Sequence, residues 1–316
     1  MNQPKYDIIP DIHGQHEKLL RLLLLLGYKP AGGTYRHPEG RKVIFLGDFI
    51  DRGPKVLEVL ETVKVMLDEG DALAVMGNHE FNAVCFATED GEGGFLRQHT
   101  DKNVKQHAAT IAAFKNREDW KTEWGKWVEW FKQLPFFLDM GPLRAVHACW
   151  DPAAIEFLKK ASMADFEFLK RAAAKEAGTA TEIQEMTPYR AIEHCLKGPE
   201  IAIKGGVLDK DGQIRYSMRV RWWDLHVGMT FGEACMPLPC DNPQLLEEHH
   251  VNNIPQYDAT EPPVFFGHYW VPKTANRAPL RHNLVCLDYS AGKQGPLVGC
   301  RFNGPRPAEW EFVETY

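Results

Sequence analysis

Apolar residues in this chain come in short runs that stop abruptly at polar ones. Residues 6–10 form such a run, ending at Asp11, Ile12, His13 and Gly14, and a Leu-rich stretch at helical spacing follows. Residues 42–46 repeat the arrangement, leading into Gly47, Asp48, Phe49, Ile50, Asp51, Arg52, Gly53 and Pro54. The spacing then predicts a helix over about 56–68, with Val56, Leu57, Val59, Leu60, Val63 and Leu67 on its apolar side. A third run, residues 72–76, opens onto Gly77, Asn78, His79 and Glu80, again before apolar residues at helical spacing. Three strand–loop–helix units in succession predict an α/β sandwich with a largely parallel sheet. In such sheets ligands gather beyond the C-terminal ends of strands, where all three polar clusters fall.

The pattern changes between about 88 and 133. Residues 89–94, acidic and Gly-rich, predict an exposed loop, after which Trp120, Trp124, Trp127, Trp130 and Phe131 recur every three or four residues. That stripe is a helix face, and packing against a core explains it better than a ligand platform. Residues 136–146 predict paired strands around Met140, Gly141 and Pro142, finishing at His147. Residues 152–199 read as helical, 201–221 as a hairpin about Asp209, Lys210, Asp211 and Gly212, and 231–263 as irregular. A run at 264–266 opens onto Gly267 and His268, and 284–312 reads as several short strands. Without an internal repeat or long linker, a single domain over 1–316 is expected, with insertions at about 88–133 and 152–199.

Composition narrows the function. The 316 residues are 44% hydrophobic and 25% charged, as in a globular protein. A formal charge of -6 offers no general attraction for nucleic acid or anionic membrane, so stable binding of either is not expected. The longest apolar stretch, residues 19–26, falls short of the roughly 20 residues that span a bilayer. No basic and apolar leader precedes the first strand, and seven scattered cysteines suit a reducing compartment, so a cytoplasmic protein is expected.

Taken singly, the polar clusters are ambiguous. Asp11 and His13 lie on one side of an extended segment and suit chelation. Asp48, Asp51 and Arg52 also fit an ion pair at a turn, and Asn78 fits a helix cap. His147 and His268 also fit core histidines. Together they are informative, because five separate apolar runs each end in Asp, His or Asn. Carboxylate, amide and imidazole suit Mn, Fe or Zn, and the number of donors implies two adjacent ions.

The strings D-x-H-G at 11–14, G-D-x-x-D-R-G at 47–53 and G-N-H-E at 77–80, with His147 and Gly267-His268, resemble the calcineurin-like metallophosphoesterases. Within them they resemble the phosphoprotein phosphatase branch, including the bacterial and phage lambda type. The resemblance implies an α/β sandwich of sheets flanked by helices, and a centre of two divalent metal ions. Asp11, His13 and Asp48 would hold the first ion; Asp48, Asn78, His147 and His268 would hold the second. Manganese is expected, with Fe, Zn and Ni accepted by the same donors. A carboxylate between cations about 3.5–4 Å apart offsets their repulsion, and water bound to both loses a proton near neutral pH, giving a hydroxide that attacks phosphorus. His79 would be the general acid, oriented by Asp51, and Arg52 would grip phosphate oxygens. A further phosphate-binding arginine is expected from Arg219 or Arg221.

One departure stands out. Pro10 replaces the family's usual glycine, and, lacking an N–H, it is expected to displace the first strand's end or leave it without a hydrogen-bond partner there. The leading functional expectation is a serine/threonine-type protein phosphatase, a metal-dependent phosphomonoesterase. The alternative is hydrolysis of a dinucleoside polyphosphate such as diadenosine tetraphosphate, or of another nucleotide. The dinucleotide branch typically lacks the second aspartate and carries G-N-H-D, whereas this chain has Asp51 and Glu80. Under the nucleotide reading the Trp-rich insertion would wall an aromatic base; under the protein reading it would be a docking surface. A non-catalytic scaffold is the minor alternative, disfavoured because every expected ligand and His79 are present.

Overall fold

The computed structural model describes residues 5–115, 117–176, 185–208, 214–236 and 242–316. Strand β1 (Tyr6–Ile9) leads into α1 (His16–Leu25), and a small hairpin of β2 (Lys29–Ala31) and β3 (Thr34–Arg36) follows. Next come β4 (Lys42–Phe45), α2 (Val56–Asp68), β5 (Ala72–Ala74) and α3 (Asn78–Ala87). The segment that follows carries α4 (Asp101–Gln106), α5 (Ala108–Lys115) and α6 (Trp120–Phe131). A hairpin of β6 (Phe137–Asp139) and β7 (Arg144–Val146) precedes α7 (Pro152–Leu158), α8 (Phe166–Ala173) and α9 (Pro188–Lys197). Strands β8 (Glu200–Leu208) and β9 (Ile214–Arg219) pair antiparallel; the Asp209–Gly212 turn expected between them lies outside the described residues. Short helices α10 (Phe231–Ala234) and α11 (Glu248–Val251) lead to β10 (Val264–Phe266), β11 (Leu284–Cys286), β12 (Leu297–Phe302) and β13 (Trp310–Thr315).

Apart from the pairs β2-β3 and β8-β9, the strands form two sheets of order β13-β12-β1-β4-β5 and β11-β10-β7-β6. β1, β4 and β5 run parallel, as the repeated strand–loop–helix pattern predicts, while β12 and β13 close the sheet antiparallel. In the second sheet β10 runs parallel to both β7 and β11. Phe265 of β10 meets Phe302 and Trp310 of the first sheet at ring distances of 5.9 and 5.4 Å, so both sheets share one core.

Helix α2 spans the predicted residues, and in its last turn Leu67 packs half-buried against the core beside the fully buried Met66. The tryptophan stripe is α6, with Trp130 against Phe49 at 6.3 Å and Trp124 against Phe114 at 5.3 Å. It packs on the core, as its spacing predicts. The described cysteines are free, and among the described residues no helix is long and apolar enough to cross a membrane.

Candidate metal centre and active site

Apart from the two later arginines, each candidate side chain lies just beyond a strand. Asp11 and His13 follow β1; Asp48, Asp51 and Arg52 follow β4; Asn78 and His79 open α3 after β5; His147 follows β7 and His268 follows β10. Parallel pairing sets these loops side by side, and their backbones lock them together. The Ile12 and His13 amides donate to the Asp48 carbonyl at 3.1 and 2.8 Å, and the Gly14 amide to Phe49 at 2.9 Å. Pro10 does not displace the strand end. The Ile9 carbonyl accepts the Leu46 amide at 2.9 Å, and the contacts to the Asp48 loop come from residues 12–14, so no N–H is needed at position 10.

Two glycines permit the approach. A Cβ on Gly47, at φ +87°, would stand 2.3 Å from the Gly77 nitrogen, and one on Gly267 would stand 1.9 Å from an Asp11 oxygen. Side-chain-bearing residues take left-handed backbone here too: His13, Asp48, Asp51, Arg52 and His268 have φ between 47° and 68°. Such conformations are tolerated only where surroundings over-determine them, and they concentrate at functional sites.

Asp48 is the hub. Its Oδ2 lies 3.4 Å from His13 Nε2, and its Oδ1 lies 3.4 Å from His147 Nε2 and accepts the His79 amide at 2.9 Å. Asn78 Oδ1 stands 3.0 Å from His147 Nε2 and 2.8 Å from His268 Nδ1. The Nδ1–H groups of His13 and His147 donate to the carbonyls of Ile50 and Leu46 at 2.8 and 2.6 Å, which turns each Nε2 into the cluster. His13 Nε2 is buried without a hydrogen-bond partner. Burial, with Arg52 and His79 adding to it, lowers His13 to about 3, and burial also holds His268 well below the ordinary histidine value. Burial works against a charged His147, yet Asp48 outweighs it and raises the imidazole to about 10. Burial alone would raise Asp48; His147 and His79 outweigh it and hold the carboxylate well below its usual range. Imidazole nitrogens, an amide oxygen and carboxylates thus converge in one buried cluster, a donor chemistry that fits divalent cations.

Among the described residues two donor groups fall within 4.8 Å, His13–Asp48–His79 and Asp48–His147–His268. The second matches the expected grouping, with Asn78 beside it. The first takes His79 where Asp11 is expected, because both Asp11 oxygens turn to the His268 amide at 3.2 and 3.1 Å. Asp11 nevertheless lines the same cleft, its carboxyl raised to about 7 by burial.

His79 and Asp51 form a buried pair, Nδ1 to Oδ2 at 2.5 Å. Arg52, exposed at the mouth, reaches His79 Nε2 at 3.4 Å and lies 4.9 Å over the Trp270 ring. Of the two later arginines, Arg219 lines the cleft and Arg221 is drawn to Asp224, its Nε 2.7 Å from the carboxylate. The cleft has two arms that share Arg52, Asn78 and His79. One runs to Arg219, Met236 and Trp270, the other to Lys105, Gln106 and Ala109. None of the stripe tryptophans lines either arm, in keeping with their packing on the core. Tyr289 also packs, its hydroxyl donating to Asn276 at 3.2 Å.

Sequence reasoning missed several neighbours. Glu80 accepts the amides of Asp48, Phe49 and Gly77 at 2.8, 2.9 and 3.0 Å, and His107 and Thr110 both bond Asp51. No periodic signal in residues 101–115 marks His107 or Thr110 as neighbours of Asp51. Trp270, two residues beyond His268, carried none.

The family profile described as calcineurin-like phosphoesterase matches residues 4–178. Over 75 residues the chain is 45% identical to a bis(5'-nucleosyl)-tetraphosphatase PrpE [asymmetrical] of Halalkalibacterium halodurans, covering 24% of this chain and 30% of that protein. Its likeness to the Bacillus subtilis protein of the same name is 45% over 74 residues, covering 23% and 30%. The chain thus matches under a third of the length of these relatives. Among solved structures, a cold-active protein-tyrosine phosphatase of a psychrophile Shewanella is 16% identical over 98% of this chain and 80% of its own, with a TM-score of 0.43. With its profile covering more than half of the sequence, the chain belongs to the calcineurin-like phosphoesterases, metal-dependent hydrolases of phosphate esters.

Proposed function

We propose that this metallophosphoesterase hydrolyses a dinucleoside polyphosphate, diadenosine tetraphosphate being the simplest candidate. The observation that carries the reading is the two-armed cleft meeting at Arg52 and His79. A substrate extended on both sides of the scissile phosphate fits it, whereas a simple monoester would fill one arm. Each arm carries suitable chemistry for a polyphosphate: Lys105 on one side, and Arg219 on the other. The likeness to two tetraphosphatases supports the same reading over the segment it covers.

In this reading Asp11, His13, Asp48, Asn78, His147 and His268 would hold two divalent ions, Mn by preference. Bound there, the ions supply an acidified water and Lewis-acid stabilisation of the phosphate. Arg52 and Arg219 grip the non-bridging oxygens, Arg52 through its planar fork. His79 gives its proton to the departing oxygen, and Asp51 holds the ring by its Nδ1–H.

One observation favours the phosphoprotein reading as a second. A serine alkoxide must be protonated to leave, a polyphosphate scarcely so, and the 2.5 Å His79–Asp51 pair is built to deliver a proton. Parallel assays of the Mn-loaded protein on diadenosine tetraphosphate and a phosphoserine peptide decide between them. A preference for the dinucleotide is expected, and a preference for the peptide would reverse the assignment. His79→Ala should lower the peptide rate by roughly 10²–10⁴ and the dinucleotide rate less.

A further inference from the structure

The break between α4 and α5 brings His107 and Thr110 to the back of the His79–Asp51 pair. Asp51 is fully buried. Its Oδ1 accepts the Thr110 hydroxyl at 2.5 Å and lies 3.2 Å from His107 Nδ1, which is 3.0 Å from Oδ2, the oxygen that also holds His79. The Thr110 Oγ1 in turn accepts the Asp51 amide at 3.0 Å, so one hydroxyl fixes both backbone and side chain of the aspartate. His107 is itself buried, with its ring against Phe86 at 5.1 Å and its Nε2 without a partner. Its single side-chain hydrogen bond among the described residues is therefore to Asp51. A carboxylate with two outside donors cannot swing from His79, and each donor favours its charged form.

We infer that His107 and Thr110 are positioning residues, which act through Asp51 to hold His79 as the proton donor to the leaving group. Helices α4 and α5 thereby complete the acid side of the site and do more than decorate the fold. The inference rests on His79 being that donor, and the experiment separates the two.

The test uses leaving groups that differ in their need for a proton. Phenyl phosphate loses a basic phenolate, whereas the nitrophenolate of p-nitrophenyl phosphate departs far more readily unprotonated. His107→Leu and Thr110→Val, each Mn-loaded, should lose at least about tenfold more kcat on phenyl phosphate than on p-nitrophenyl phosphate, with KM little changed, as expected when the support of a catalytic group is loosened. His107→Asn and Thr110→Ser keep a donor at the same place and should restore most of the loss, which also guards against variants that fail to fold. Equal losses on both substrates, or no rescue, would overturn the inference. His79→Ala is the reference. If it discriminates between the substrates and the His107 and Thr110 variants do not, the positioning role alone fails. If it lowers both rates alike, the proton-donor role fails and takes the inference with it.

Discussion

His79 meets opposing influences. Burial works against its imidazolium, but the carboxylates of Asp48 and Asp51 outweigh burial and Arg52, raising its pKa above the ordinary histidine value. A proton donor acts while protonated, so its contribution is full below that raised pKa and fades above it. With cations offsetting the charge of Asp48, the Asp51 carboxylate is what would hold up the alkaline limb of the rate profile. Asp51→Asn removes one of the two carboxylates and should move the limb toward lower pH while lowering kcat; profiles of kcat against pH check this, and an unmoved limb would detach the limb from this pair. The donors themselves were legible in the sequence, since Asp11, Asp48, Asn78, His147 and His268 each end an apolar run. The choice between Arg219 and Arg221 was not, because it depends on Asp224 drawing Arg221 aside. His107 and Thr110 were illegible for a related reason. Nothing in residues 101–115 says where their helices dock, and an isolated histidine there has no pattern to mark it.

Helix α3 illustrates how an element serves the site. It begins at Asn78, and Glu80 in its first turn reaches back to the Gly77 amide and across to the amides of Asp48 and Phe49, with Ile50 at 3.3 Å. One buried carboxylate thus shapes the loop after β4 from the start of the helix after β5. Burial pushes Glu80 up to about 7, against the pull of those donors. Both oxygens act as acceptors, a role an amide cannot fill, since one of its two ends would turn N–H against N–H. Glu80→Gln should therefore loosen Asp48 and weaken metal binding by about 10–100-fold, the usual effect of losing a residue that orients ligands. Titration of the apoprotein with Mn measures it; unchanged affinity would mean the loop holds its shape without Glu80. The units β1–α1, β4–α2 and β5–α3 were legible because strand and helix periods alternate plainly there. Strand order was not: the placement of β12 beside β1 is set by pairing across nearly the whole chain, which no local pattern records.

That long-range closure is fastened by a charge network at the opposite end of β1 from the metal site. Asp7 is fully buried and Arg41 nearly so. Arg41 grips Asp7 by two nitrogens at 2.9 and 2.8 Å and also donates to the Tyr6 and Phe302 carbonyls and to Asn303 at 2.6, 3.1 and 2.8 Å. Tyr28 at 3.0 Å and Arg301 at 3.3 Å complete the shell of Asp7. One guanidinium therefore joins β1, the approach to β4 and the end of β12. A buried pair of this kind adds little over well-packed apolar residues, but breaking one side strands the other charge. Arg41→Met should destabilise the protein by about 3–5 kcal/mol, whereas Asp7→Leu combined with Arg41→Met should recover much of that loss. Urea unfolding of the apoprotein in chelator removes the contribution of bound metal and reads the difference as a shifted midpoint at constant slope. Asp11 lies about 13 Å further along β1 at the usual strand rise, so the folded Arg41→Met protein should keep its kcat. A lost kcat in a fully folded variant would show that the two ends of β1 are coupled, and that this network sets the geometry of the site as well as the stability of the sheet.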